Sequence, residues 1–217
     1  MTLNILPMKQ TEYLINDNGA IALIVRNWIR TDLHARLSEQ IPWIQGQMNM
    51  FNKVIDIPRA MFFLGDEHVK VYKYSRLSFD IQSWSNAIPL YEEIRQIRDT
   101  IKVDELLQQV TGKQLHFDSC LLNFYRNGND KIDYHSDREA LGPANAVVTI
   151  SLGASRLFVF KNKVKAPNGF YPTIKTILND GDLMLMAGTC QELWTHGVPR
   201  GETKESRISL TYRLINN

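Results

Sequence analysis

His135 and Asp137 set an imidazole and a carboxylate two positions apart, at the end of Leu121-Leu-Asn-Phe-Tyr-Arg-Asn-Gly-Asn-Asp-Lys-Ile-Asp-Tyr-His-Ser-Asp137. A second imidazole, His196, follows about 60 residues later. Two histidines and one carboxylate are the set that holds Fe(II) on one face of an octahedron, leaving three positions for a co-substrate and oxygen. Zn(II) prefers a closed tetrahedral set or one with a single water, and a lone His-x-Asp supplies no second pair of soft ligands. The residue types therefore point to iron. Each part alone is weak: His-x-Asp arises often by chance, and His196, in Gln191-Glu-Leu-Trp-Thr-His-Gly-Val-Pro199, by itself reads as a satisfied core histidine.

The carboxy-terminal segment Arg207-Ile-Ser-Leu-Thr-Tyr-Arg213 changes that balance. In an extended strand Arg207, Ser209, Thr211 and Arg213 share one face and Ile208, Leu210 and Tyr212 the other. Two guanidinium groups then point inward from a core strand, and buried cations need anionic partners, because an unpaired buried charge costs several kcal/mol. A dicarboxylic acid would supply them. Six residues of strand span about 20 Å, so the two arginines cannot grip one carboxylate together. Arg207 is assigned to the far carboxylate of 2-oxoglutarate in a charge-assisted, bidentate pair. Arg213 turns back toward the metal end, near the keto-acid carboxylate or Asp137. Asn123 and Tyr125, two apart on a neighbouring strand, complete the pocket.

The elements that must position these groups can be read in outline. Ile21–Val25 is a strand, and Thr31 or Asp32 caps a helix through Leu33, Leu37 and Ile41 that Pro42 ends. Met48-Asn-Met-Phe-Asn52 has a loop-like setting, in which Phe51 is either a core filler or a wedge for a base stack. Val69–Ser75 alternates, with Val69, Val71 and Lys73 on one side and Lys70, Tyr72 and Tyr74 on the other. Residues 88 to 110 form one long helix opened by Pro89 and stopped by Gly112. Strands follow at 119–125, 146–152, 156–161, 174–178, 182–186 and 207–214, punctuated by Gly and Asn. Helices first and strands afterwards predict an α+β domain whose sheet curls into a double-sheet barrel or jelly roll. The expectation is a single domain over 1–217, with a lid or substrate-binding extension at about 45–85 and the core at about 115–217.

Composition narrows the class. The 217 residues are 44% hydrophobic and 22% charged, and no apolar run approaches the roughly 18 residues that span a bilayer. With no charged-then-apolar amino terminus, an intracellular protein, nuclear or cytoplasmic, is expected, with no membrane contact. Cys120 and Cys190 are too few for a disulfide framework and read as buried thiols. Net charge is only +2, but Arg156, Lys161, Lys163 and Lys165 cluster, with Arg200 and Lys204 in a loop near His196. Basic loops around a site suit a phosphate backbone, and a solvated hairpin is the alternative.

In this order, Asn123-x-Tyr125, His135-x-Asp137, His196 and Arg207 to Arg213 resemble the AlkB family of Fe(II)- and 2-oxoglutarate-dependent dioxygenases. Phe51-Asn-Lys-Val-Ile-Asp-Ile-Pro-Arg59, Tyr72-Lys-Tyr-Ser75, Ser151-Leu-Gly-Ala-Ser-Arg156 and Trp194-Thr-His-Gly-Val-Pro resemble its eukaryotic members that repair alkylated DNA. The resemblance implies a double-stranded β-helix with a nucleotide-recognition lid and O2 as oxidant, with ascorbate supportive in vitro. It also implies oxidative demethylation of 1-methyladenine and 3-methylcytosine in single- or double-stranded DNA, releasing formaldehyde, succinate and CO2. By position Phe51 fills the gap of a flipped base, Tyr74 and His135 sandwich that base, and Tyr72 and Glu139 lie near its edge, with Arg59 and Ser75 in the same matched segments. Methylation already breaks the pairing, which lowers the cost of extrusion. Arg138 departs from the family's usual acidic residue: inward it would repel a cationic base, outward it would hold a phosphate. The rival readings are an oxygenase of the same chemistry acting on RNA or a protein side chain, and a non-catalytic nucleic-acid binder. A monomer is expected.

Overall fold

Alternation along the strands decides the layering. The computed structural model describes residues 10–50, 53–74, 77–86, 88–137 and 146–215. Its amino-terminal elements are β1 (Thr11–Asp17), β2 (Ala20–Val25), α1 (Leu33–Gln40), β3 (Ile44–Met50), β4 (Lys53–Gly65), β5 (Val71–Tyr74), β6 (Leu77–Asp80) and β7 (Gln82–Ser83). Helices α2 (Pro89–Lys102) and α3 (Glu105–Thr111) lead into β8 (Ser119–Tyr125), β9 (Ile132–His135), β10 (Val147–Gly153) and β11 (Arg156–Asn162). The chain closes with β12 (Thr173–Leu178), β13 (Leu183–Gly188), α4 (Cys190–Leu193), β14 (Trp194–Val198) and β15 (Arg207–Arg213).

A major sheet runs β1-β2-β13-β10-β15-β8-β4-β3 and a minor one β12-β11-β14-β9, a jelly-roll arrangement of the double-stranded β-helix type. Leu183, Leu185 and Ala187 of β13 enter the core against the helices, while Met184 and Met186 enter the core against the minor sheet. Such alternation is what a sheet buried on both faces requires. Pro89 opens α2, and Leu90, Ile94, Ile97 and Ile101 are buried at helical spacing. Each such side chain contributes about 1.5–3 kcal/mol by leaving water. The Tyr212 hydroxyl donates to the Ile94 carbonyl (2.9 Å), tying α2 to the sheet. None of the described helices is long and apolar enough to cross a membrane.

Three expectations fail here. The stretch 48–52 is not loop-like up to Met50: β3 pairs with β4, and β4 in turn lies against β8 with Ala60 opposite Phe124. The long helix is two, because the Asp104 carboxylate caps the Leu107 amide (3.3 Å) and accepts the Trp28 indole N–H (2.9 Å), so the chain restarts there. In the 69–74 segment the strand begins only at Val71, and Val69 is buried while Val71 is exposed, so these two do not share a face as expected; Val71 and Tyr72 do differ in burial.

Gly181 marks where β13 is entered under the Trp28-Ile29 segment. Its φ of +76° lies in the left-handed region, and a Cβ there would run into the Ile29 carbonyl. Gly181→Ala is expected to cost about 2 kcal/mol, lowering the thermal midpoint by roughly 4–8 °C in calorimetry. An unchanged midpoint would show that the two segments separate at little cost.

Candidate metal centre

Strands β9 and β14 carry the two histidines into register as directly opposed residues, with ring centroids 4.4 Å apart. The register slips between His196 and Val198, and a Cβ at Gly197 would sit 2.9 Å from the Ile132 carbonyl oxygen. A bulge at this point lets the strands close while turning the imidazoles inward. β9 ends at His135, so Asp137 lies beyond the ladder rather than on a continuing strand. Its carboxylate comes within 3.8 Å of His135 Nε2 and 3.5 Å of His196 Nε2, and all three donor atoms lie within 4.8 Å of one another. Among the described residues this is the only cluster of three or more His, Cys, Asp or Glu that could hold an ion.

The electrostatics suit a ligand set. His135 Nδ1 lies 2.9 Å from the Asp133 carbonyl oxygen; donation there leaves Nε2 with a lone pair facing Asp137. His196 is buried between Phe158, whose ring stacks on it at 5.5 Å, and Phe160. Burial, with His135 alongside, lowers its pKa to about 3, so the ring is neutral and able to coordinate. Burial alone would raise the Asp137 pKa, but Arg213, with Nη2 at 3.1 Å, holds the carboxyl below its ordinary range. The Cys190 thiol is pushed up to about 12 by burial and by the charge of Asp137, which makes it inert.

A cleft opens from this cluster along β15 and β8, lined by Asn123, Tyr125, Arg207, Ser209, Thr211 and Arg213, with Phe158 and Ile132 beside the His135, Asp137 and His196 cluster. Pairing sets Tyr125 opposite Arg207 and Asn123 opposite Ser209, so the two arginines stand at opposite ends of the wall. Arg213 Nη1 donates to the Tyr72 hydroxyl (2.6 Å) and Nη2 meets Asp137. Arg207 is buried, its Nε donates to Ser151 Oγ (2.8 Å), and its Nη1 finds no hydrogen-bond partner among the described residues. A buried guanidinium with an unsatisfied arm is a receptor for an anion. The arrangement of two imidazoles, a carboxylate and, further along the cleft, a guanidinium with an unsatisfied arm fits Fe(II) and a diacid.

Other expected residues are distributed differently. Arg59 is buried in the same cleft, where its Nε donates to Asn123 Oδ1 (2.7 Å), and Tyr72 is the partner of Arg213. Tyr74 is the last residue of β5. Phe51, Ser75, Arg138 and Glu139 lie outside the described residues. Arg156 does not belong to a basic surface: it is buried, donates to the carbonyls of Asn127, Asp130 and Pro199, and lies over the Tyr125 ring at 5.5 Å. Lys163 donates to the Gln191 carbonyl (2.8 Å). Gln191 and Ser151 carry no spacing signal that could have marked them beforehand.

Comparison with known proteins agrees with this geometry. The model of the 2OG-Fe(II) oxygenase superfamily matches residues 22–213. Alpha-ketoglutarate-dependent dioxygenase alkB homolog 3 of Rattus norvegicus is 29% identical over 204 residues, covering 91% of this chain and 62% of that protein. DNA oxidative demethylase ALKBH2 of Homo sapiens is 29% identical over 192 residues, covering 85% of this chain and 68% of its own length. This chain thus spans about three fifths to two thirds of the relatives it matches. The solved structure of OsALKBH1 shares the fold with a TM-score of 0.59 at 19% identity, over 93% of this chain and 99% of that one. With its ligand cluster, its cleft and these matches, the chain belongs to the 2OG-Fe(II) oxygenase superfamily, as a member of AlkB type that uses Fe(II) and 2-oxoglutarate.

Proposed function

We propose that this protein removes methyl groups oxidatively from 1-methyladenine and 3-methylcytosine in DNA, releasing formaldehyde, succinate and CO2. The oxygenase half of this reading is carried by one observation, the unsatisfied buried arm of Arg207 in a cleft shared with His135, Asp137 and His196. The DNA half rests on the relatives, of which the human one is named a DNA oxidative demethylase.

In this reading His135 Nε2, His196 Nε2 and the Asp137 carboxylate hold the iron. Arg207 bonds the far carboxylate of 2-oxoglutarate, with Asn123, Tyr125 and Ser209 along its length. Arg213 keeps Asp137 ionised and oriented. Iron with bound 2-oxoglutarate supplies the activation of oxygen that a C–H bond of an N-methyl group requires. The protein's share is placement: the apolar wall of Phe158 and Ile132 limits water beside the metal, and the cleft fixes the direction from which the methyl group arrives. Tyr72 and Arg59 serve within the wall, through Arg213 and Asn123. His135 and Tyr74 take the two faces of the extruded base, Glu139 lies near its edge and Phe51 fills the gap it leaves, with Ser75 and Arg138 in the same substrate-binding segments.

The test loads the protein anaerobically with iron and 2-oxoglutarate, then admits oxygen with a 3-methylcytosine oligonucleotide. Succinate and formaldehyde in equal amounts, with the base restored, are expected. Turnover of methylated RNA in place of DNA would move the substrate, and no succinate with either would overturn the oxygenase reading.

A further inference from the structure

Asp137 is buried, yet it lies beyond the end of β9, so its backbone N–H has no ladder partner. Buried amides are satisfied almost without exception, and here the acceptor is a side chain: Gln191 Oε1 at 2.9 Å. Gln191 is itself buried, with 2% of its surface exposed. Its Nε2 lies 3.6 Å from Met186 Sδ, and its main-chain carbonyl accepts from the Lys163 ammonium at 2.8 Å. One residue earlier, Ser136 Oγ donates to the Trp194 carbonyl (2.9 Å). The short helix α4 and the start of β14 thus hold residues 136 and 137 at two consecutive points.

We propose that Gln191 is a positioning residue of the metal centre: its amide oxygen fixes the backbone of Asp137 and so aims the carboxylate at the point shared with His135 and His196. The inference rests on the reading of those three residues as the metal ligands. Arg213 grips the same carboxylate from the side chain, but a guanidinium 3.1 Å away would follow it through rotation about the Cα–Cβ bond. The backbone tie to Gln191, with the Ser136 hydroxyl one residue earlier, sets where that bond begins. Groups that orient ligands without touching the metal typically change metal affinity by about 10- to 100-fold when removed.

The experiment titrates Co(II) into the metal-free full chain and reads both affinity and the visible absorption of the bound ion, which reports coordination geometry. Gln191→Met keeps the length and removes the acceptor. It is expected to weaken Co(II) binding by about 10- to 100-fold and to change the absorption envelope, while Gln191→Glu, which keeps an oxygen at the same reach, restores binding. Parental affinity and spectrum in Gln191→Met would overturn the proposal. Should the Met variant fail to fold, Gln191→Asn decides: it keeps an amide one methylene short, and parental behaviour there is equally fatal. Asp137→Ala in parallel separates the two levels. If it too binds Co(II) like the parent, the ligand assignment itself has failed; if it loses the metal while Gln191→Met does not, only the positioning role has.

Discussion

Asp137→Ala is expected to abolish iron-dependent turnover of 2-oxoglutarate and to lower metal affinity by more than the roughly 10- to 100-fold that loss of a group behind a ligand costs, because it removes the one anionic ligand of the cluster and leaves only the two imidazoles. A second consequence is independent of metal. Asp137 and Arg213 are both buried, 4% and 3% exposed, and face each other at 3.1 Å. Deleting one partner of a buried pair leaves the other charge without its counterion and typically costs about 3–5 kcal/mol. The Tyr72 hydroxyl still accepts from Arg213, so the lower end of that range applies, about 3 kcal/mol. That corresponds to roughly 6–12 °C in the thermal midpoint of the metal-free chain. Asp137→Asn separates the effects: it keeps volume and an acceptor for Arg213 but loses the charge, so metal affinity falls while the metal-free midpoint falls less. Calorimetry of the metal-free variants and anaerobic iron titration measure the two quantities. An alanine variant with parental turnover would remove Asp137 from the metal.

What the chain discloses beforehand follows from the range over which each cause acts. The split of β15 into Arg207, Ser209, Thr211 and Arg213 on the cleft side and Ile208, Leu210 and Tyr212 in the helix-facing core is a period of two, readable from seven residues. The pairing of Asn123 and Tyr125 with that face is a second strand of the same kind. The break between α2 and α3 is different, because the residue that makes Asp104 a restart point includes Trp28, 76 positions earlier. Arg156 misleads for the same reason: its neighbours in sequence are basic, but the carbonyls that accept from it belong to residues 127, 130 and 199. Gln191 is silent in the sequence, since a glutamine becomes a support for a ligand only through a loop 54 positions away. Local periodicity exposes the walls of the site, and the groups that brace it are set by contacts between distant segments.

Arg207→Met should pull activity and stability in opposite directions. In the metal-free chain Arg207 is 1% exposed, bonded through Nε to Ser151 and flanked by the Tyr125 ring at 5.2 Å, and no carboxylate among the described residues offsets its charge. Burial lowers its pKa from the ordinary arginine value, with the nearby Arg156 adding to the strain and Tyr125 opposing it. A methionine of similar length removes that cost, so the metal-free chain is expected to be as stable or up to about 1–4 kcal/mol more stable. With 2-oxoglutarate the balance reverses. Truncating one side of a buried, hydrogen-bonded charge pair costs about 2–5 kcal/mol, which raises the KM for 2-oxoglutarate by roughly 30-fold to several thousand-fold. The rise in thermal midpoint that saturating 2-oxoglutarate gives the parent shrinks with it. Arg207→Lys keeps a charge but loses the planar fork, and an intermediate KM is expected. A methionine variant with parental KM and a lower midpoint would instead make Arg207 a structural cation held by Ser151 and Tyr125, and the diacid would have to be anchored elsewhere in the cleft.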